Sequence, residues 1–260
     1  MPDFNKQNSI KMIATDLDGT LLREDKSISD YTKNVLKKCR KIGIKLAFAT
    51  GRGTAYKVAP VELFDGRITN NGAIAKAGDV IVYIKLIPYQ TARPVLMACS
   101  ERGLRIVSQS DTHYSNFTVS DVWQWITEFQ VVDFAKHNVD AEKLYTPDHL
   151  GENRQFIEQI TPSELYTVVT TDITGDLLQI MHRDATKGKA VLALGQYWNI
   201  QPSEIVTFGN DLNDIDMLSS VSFGVAVENA YDEVKAAAKF FCGSNEEDGL
   251  AKWLEENVLK

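Results

Sequence analysis

The stretch Lys11-Met12-Ile13-Ala14-Thr15-Asp16-Leu17-Asp18-Gly19-Thr20 decides the fold. Residues 11–17 are a short apolar run ending in two acids and Gly-Thr, the pattern of a strand buried on both faces with its polar residues at the C-terminal end. Side chains two apart on a strand point the same way, so Asp16 and Asp18 bring two carboxylates close together. Like charges at that spacing are unfavourable unless a cation or a proton lies between them. A hard divalent cation with oxygen ligands, Mg²⁺ by preference, meets that need. The competing reading is a solvated pair of acids in a turn.

Working outward, Ser29 or Asp30 can cap an amphipathic helix running to Lys41, and Gly43 stands where a left-handed C-terminal cap belongs. Residues 44–49 read as a second strand, closed by Thr50-Gly51-Arg52 and followed by another helical stretch. The last third repeats this rhythm, with helix 187–198, strand 204–208, short helix 213–219, strand 223–227, and helices 232–239 and 249–259. Strands alternating with helices predict an α/β fold, a doubly wound, mostly parallel sheet of Rossmann-like type covered on both faces. Residues 84–183 differ in texture. Strand-like runs at 104–108, 166–171 and 177–181 are separated by longer helical stretches, which predicts an inserted α+β cap domain. The expected domains are therefore a core built from 1–83 and 184–260, with the cap at 84–183.

Composition bounds the function. With 260 residues, 44% hydrophobic and 24% charged, the chain has the balance of a globular protein of one core plus a second unit. A net charge of -7 without a basic cluster disfavours nucleic acid and anionic lipid as partners. The N-terminus has no apolar signal region, and no apolar run reaches the roughly 20 residues of a spanning helix, so a cytoplasmic protein is expected, with no membrane partner. Cys39, Cys99 and Cys242 lie in unrelated contexts without metal-type spacing and read as plain thiols.

Three further segments carry candidate chemistry, each beside the end of an expected strand or the start of a helix. In parallel α/β sheets the ligand crevice lies outside the carboxyl ends of the strands, so distant segments can converge there. Thr50-Gly51-Arg52 offers a hydroxyl and backbone N–H groups where a strand gives way to a helix, a cradle for phosphate; the plain alternative is a Thr-Gly turn. Lys187 sits at a helix start, against the dipole preference, which suggests a counter-charge to phosphate, with a surface lysine as the default. Gly209-Asn210-Asp211-Leu212-Asn213-Asp214 supplies more oxygen ligands beside a turn, and also reads as a loop that caps the next helix.

In this order, Asp16-x-Asp18-Gly-Thr, Thr50-Gly-Arg, Lys187-Gly and Gly209-x-x-x-Asn213-Asp214 resemble the haloacid dehalogenase superfamily, and within it the Cof-type phosphatases of subclass IIB, which carry a C2-type cap between the second and third motifs. Asn71-Gly72-Ala73, the stretch from Val225 to Ala230, and Asp248-Gly249-Leu250 are similar to the same subgroup. The resemblance implies that Asp16 attacks phosphorus to form an aspartyl-phosphate and that Asp18 is the general acid and base. It implies that Thr50, Gly51, Arg52, Lys187 and Asn213 bind the phosphoryl group, with Thr50 and Lys187 counted among the catalytic residues. Mg²⁺ would be held by Asp16, the Asp18 carbonyl, Asn210 and Asp214, with Asp211 as an alternative. The chain departs from the pattern at Asn210-Asp211, where many relatives carry Asp-Gly, so which acid binds the metal stays open.

A magnesium-dependent phosphatase acting on a small phosphate monoester, a sugar phosphate or related metabolite, is the resulting expectation. A phosphotransferase or phosphomutase of the same fold is the rival, followed by a catalytically silent binding module. Substrate choice is expected of the cap, where Arg105, His113, Tyr114, Trp123, Trp125 and His182 are candidate contacts, although aromatics at this density are more often core. The sequence leaves the oligomeric state and the substrate's identity open.

Overall fold

A computed structural model of the chain describes residues 10–53, 60–172 and 175–260. The described residues fall into two compact units, one reaching to Ile84 and resuming with Thr186–Lys260, the other Lys85–Ala185. In chain order the first unit begins with β1 (Met12–Asp16), α1 (Asp30–Lys41), β2 (Lys45–Ala49), β3 (Gly66–Thr69), β4 (Ile74–Ala77) and β5 (Val80–Ile84). The second unit holds α2 (Tyr89–Glu101), β6 (Val107–Gln109), β7 (His113–Ser115), β8 (Phe129–Val131), β9 (Lys143–Thr146), α3 (Glu152–Ile160), β10 (Leu165–Asp172) and β11 (Gly175–His182). The first unit then resumes with α4 (Lys187–Tyr197), β12 (Ile205–Gly209), α5 (Ile215–Ser219), β13 (Phe223–Val227), α6 (Asp232–Ala237), β14 (Phe240–Cys242) and α7 (Gly249–Asn257).

The first unit is built on an eight-stranded sheet of order β14-β13-β12-β1-β2-β3-β4-β5. Its strands are parallel from β14 through β3, and β4 and β5 add an antiparallel edge. Every residue of β1 is buried, as a strand covered on both faces requires. Ile13, Leu46, Phe48 and Phe208 face one layer, where they pack with Val35, Leu36 and Cys39 of α1 and Leu250, Trp253 and Leu254 of α7. Met12, Ala14, Ala47 and Ala49 face the other, with Ala190, Val191 and Leu194 of α4. The alanines on that second face let α4 approach the sheet closely. Ser29 caps α1 by accepting the Thr32 N–H at 3.0 Å, and Gly43 leaves the helix at φ +94°.

The structure also shows elements that the sequence pattern left unmarked. Strand β14 occupies the segment after α6, which ends at Ala237 rather than at 239. Strands β3 and β4 are four residues each and β14 three, too short to establish a period of two, so their existence rests on pairing with neighbours. The helix expected after Thr50-Gly51-Arg52 falls largely on residues 54–59, outside the described residues.

The second unit has a six-stranded, mainly antiparallel sheet of order β10-β11-β9-β6-β7-β8. Helices α2 and α3 cover one face through Leu96, Cys99 and Ile157 against Leu144, Leu178 and Ile180. Between β7 and α3 the chain runs as short strands and turns rather than the long helices expected there. The Trp123/Trp125 pair divides: Trp123 is buried with Val107 and Tyr145, and Trp125 is exposed. Arg105 holds Asp148 from Nε at 2.9 Å, and His182 accepts the Asp184 N–H through Nδ1 at 3.0 Å.

Candidate active site

Asp16 closes β1, and strand alternation places it on the side of Met12 and Ala14, toward α4. Lys187 is the first residue of α4. The close approach of α4 over the sheet alanines thus brings Lys187 Nζ to 2.7 Å from Asp16 Oδ1. The same ammonium lies 2.6 Å from Asp214 Oδ1 and 3.4 Å from Asn213 Oδ1. Lys187, Asp16 and Asp214 are 1%, 5% and 0% exposed. Lys187 is therefore no surface lysine.

The α4 N-terminus is largely self-satisfied. Thr186 caps it by accepting the Lys189 N–H at 3.3 Å, and Asp216 accepts the Gly188 N–H at 2.9 Å. The charge that α4 offers the site is the Lys187 ammonium.

Asp214 belongs to the turn after β12. Its Oδ2 accepts the N–H groups of Asn210 and Asp211 at 2.9 and 3.0 Å while Oδ1 holds Lys187. Three donors on one buried carboxylate make Asp214 the post that fixes both turn and lysine. Asp211 accepts the Leu212 N–H at 2.6 Å and caps the turn. Asn210 accepts the Thr20 hydroxyl through Oδ1 at 2.7 Å, which ties the β12 turn to the loop after β1.

Asp18 sits apart from this cluster in its partners. Its carboxylate receives Arg52 Nε and Nη2, each at 2.6 Å, and Lys26 Nζ at 2.8 Å. Arg52, expected on phosphate, is thus paired with the second acid. Thr50 follows β2, whose Ala49 is in register with Asp16, and its buried hydroxyl accepts the Arg52 N–H at 3.2 Å.

Two buried carboxylates against one ammonium leave the centre with an excess of negative charge. Burial drives the Asp16 carboxyl up to about 8, against the pull of Lys187 and with Asp214 adding to the rise. Lys187 is raised in turn: burial disfavours its charge, but Asp16 and Asp214 more than offset that. Burial alone would raise Asp18, yet the hydrogen bonds from Arg52 and Lys26 hold it below the ordinary carboxylate range. Burial also raises Asp211.

Among the described residues no three His, Cys, Asp or Glu side chains converge as a metal cage. The oxygens gathered around Lys187 are carboxylate from Asp16 and Asp214 and amide from Asn213, and the surplus buried negative charge favours a hard cation over a soft one. The residues present fit such an ion.

The loop after β1 is clamped by side chains that spacing alone did not single out. Asn229 Nδ2 donates to the Gly19 carbonyl and Asn245 Nδ2 to the Leu22 carbonyl, both at 2.8 Å. Asp248 accepts from Arg23 at 3.1 Å, Ser29 at 2.6 Å and Thr32 at 2.9 Å. Two of these residues lie in stretches similar to the Cof-type subgroup; for Asn245 and Lys26 the sequence carries no local signal.

Comparison with known proteins identifies the family of the chain. Residues 13–254 match the family model of the haloacid dehalogenase-like hydrolases. A Haemophilus influenzae protein provisionally assigned as a phosphatase is 30% identical over 95% of this chain and 97% of its own. The 5-amino-6-(5-phospho-D-ribitylamino)uracil phosphatase YitU of Bacillus subtilis is 25% identical over 94% of this chain and 96% of its own. In structure, a haloacid dehalogenase superfamily phosphatase of Bacteroides thetaiotaomicron superposes with a TM-score of 0.85 at 24% identity, covering 98% of both chains. A subclass IIB sugar phosphatase superposes at 0.79 and 23% identity, covering 95% of this chain and 98% of its own. The chain belongs to the haloacid dehalogenase-like hydrolase family, among its Cof-type phosphatases.

Proposed function

We propose that the enzyme hydrolyses a small phosphate monoester, a sugar phosphate or related metabolite, with Mg²⁺ and through an aspartyl-phosphate on Asp16. The observation that carries this reading is the buried Lys187 ammonium held between Asp16 and Asp214 at 2.7 and 2.6 Å. That arrangement keeps one carboxylate oxygen of Asp16 bound and the other available to attack, with positive charge fixed beside it.

In the first step an Asp16 oxygen bonds to phosphorus as the ester P–O bond breaks, and Asp18 passes a proton to the departing alkoxide. In the second, Asp18 takes a proton from water, whose oxygen attacks phosphorus and releases Asp16 and inorganic phosphate. Arg52 and Lys26 favour the ionised Asp18 that the second step needs, so the first step requires part of their grip to be released. Thr50, Gly51, Lys187 and Asn213 bind the phosphoryl oxygens. Arg52 joins them when it leaves Asp18.

Asp16, the Asp18 carbonyl and Asn210 would hold Mg²⁺, with Asp214 steadying the turn behind them and Asp211 as the alternative acid. When bound, the cation supplies charge that offsets the repulsion between carboxylate and phosphate. The named activities of two relatives, a sugar phosphatase and a ribitylamino-uracil phosphatase, support a polyhydroxylated substrate. Among the described residues no helix is long and apolar enough to cross a membrane, which with the net charge of -7 supports a cytoplasmic enzyme of small metabolites.

The test is release of phosphate from a panel of esters with and without Mg²⁺, with one sugar bisphosphate included. Mg²⁺-dependent release that disappears in Asp16→Asn is expected. Isomerised monophosphate with little free phosphate would instead identify a mutase.

A further inference from the structure

We infer that Asn71, which lies between β3 and β4 and has no part in the chemistry above, is a positioning residue that sets the orientation of Asn213 and through it the Lys187 ammonium. The inference rests on the reading of Lys187 and Asn213 as phosphoryl-binding groups.

Asn71 touches the segments that carry the site. Its backbone N–H donates to the Thr50 carbonyl at 3.0 Å, and the N–H of Asn70 to the Arg52 carbonyl at 3.0 Å. Its Oδ1 accepts from Asn213 Nδ2 at 2.9 Å. On its other side, Gly72 is pressed against the start of α4, where an added Cβ would lie 2.2 Å from the Thr186 carbonyl oxygen. The segment 70–72 therefore joins the Thr50 loop, the Lys187 helix and the turn after β12.

Only a narrow choice of residue meets these demands at position 71. The backbone is left-handed, φ +54° and ψ +25°, which favours Gly, Asn or Asp. The side chain is 1% exposed and must present an acceptor to Asn213. Glycine has no acceptor. Aspartate would add a further buried negative charge to a centre that already sets Asp16 and Asp214 against one lysine.

The consequence lies in the Asn213 amide. An asparagine has an acceptor end and a donor end. With Nδ2 committed to Asn71, Oδ1 faces Lys187 Nζ at 3.4 Å. Were the amide turned over, its NH₂ would face the ammonium, donor against donor. Asn71 thus decides which end of Asn213 the lysine meets, and so sets the third contact of an ammonium whose other two are Asp16 and Asp214.

A double-mutant cycle tests this. Asn71→Gly keeps the left-handed backbone and removes only the acceptor. It is expected to lower kcat/KM about tenfold, the effect of one hydrogen bond, and to weaken inhibition by orthophosphate to a similar degree. In an Asn213→Ala background the same substitution is expected to change both quantities less than about twofold, because its route of action is gone. A merely structural role for Asn71 gives equal losses in both backgrounds, and that result overturns the inference, as does Asn71→Gly with unaltered constants. Asn71→Ser serves the same cycle if the glycine variant does not fold, since the backbone strain of serine there acts in both backgrounds and cancels in the comparison. Lys187→Met separates the two levels: turnover that survives it overturns the reading of the site together with this inference, whereas turnover that needs Lys187, combined with an additive cycle, overturns this inference alone.

Discussion

Asp16→Asn should stabilise the metal-free protein, and by an amount that grows with pH. In the fold the Asp16 carboxyl is raised from 3.8 to about 8, first by burial, with the charge of Asp214 adding to it. The folded state therefore holds a proton that the unfolded state releases across that window. Stability from this group is fully present below about pH 4 and is lost as pH rises toward about 8. One proton difference amounts to about 1.4 kcal/mol per pH unit. Asparagine keeps the shape and an acceptor for Lys187 but does not titrate.

The difference in unfolding free energy between Asp16→Asn and wild type should therefore widen by about 3 kcal/mol between about pH 5 and pH 7.5. Groups that do not interact with Asp16 cancel in that difference. The assay is urea unfolding followed by circular dichroism, in chelator, at several pH values. Excess Mg²⁺ should flatten the wild-type slope, because a cation bound at Asp16 replaces the proton, and should leave Asp16→Asn almost unaffected. Parallel curves for the two proteins in chelator would refute the account of a centre with surplus buried negative charge.

Other substitutions probe the remaining parts. Lys187→Met leaves Asp16 and Asp214 buried without their shared ammonium and should cost about 3–5 kcal/mol of stability, read as a lower urea midpoint, together with turnover. Asn210→Asp adds charge to the turn after β12, where the side chain meets Thr20, and should tighten Mg²⁺ in a calorimetric titration; an unchanged affinity removes Asn210 from the ligand set. Ser29→Ala deletes the α1 cap and a contact to Asp248, and should cost about 1 kcal/mol, a fall in Tm of about 2–4 °C.

Much of the core was legible in the sequence because its evidence is local. The apolar run before Asp16 marks β1, Ser29 and Gly43 bracket α1, and the alternation of periods gives the parallel sheet. Of the core strands that the pattern did not mark, β3, β4 and β14 are three or four residues long and become strands by pairing with neighbours already in place, and β5, five residues long and partly exposed, is held by its antiparallel pairing to β4. In the insertion, aromatic and charged residues at similar density went to opposite fates: Trp123 to a core, Trp125 to solvent, and Arg105 to an ion pair with Asp148.

The sequence by itself determined which residues are candidates for the chemistry, since only a few types can serve as nucleophile, acid or counter-charge, and strand ends in a parallel sheet must share one rim. Partnership was decided by the tertiary structure. Whether Arg52 meets phosphate or Asp18, whether Asp214 faces solvent or grips Lys187, and whether Asn71 is filler or a bridge depend on distances between segments far apart in the chain. A hydrogen bond exists only within a few tenths of an ångström of its proper length, and one-dimensional spacing does not carry that information.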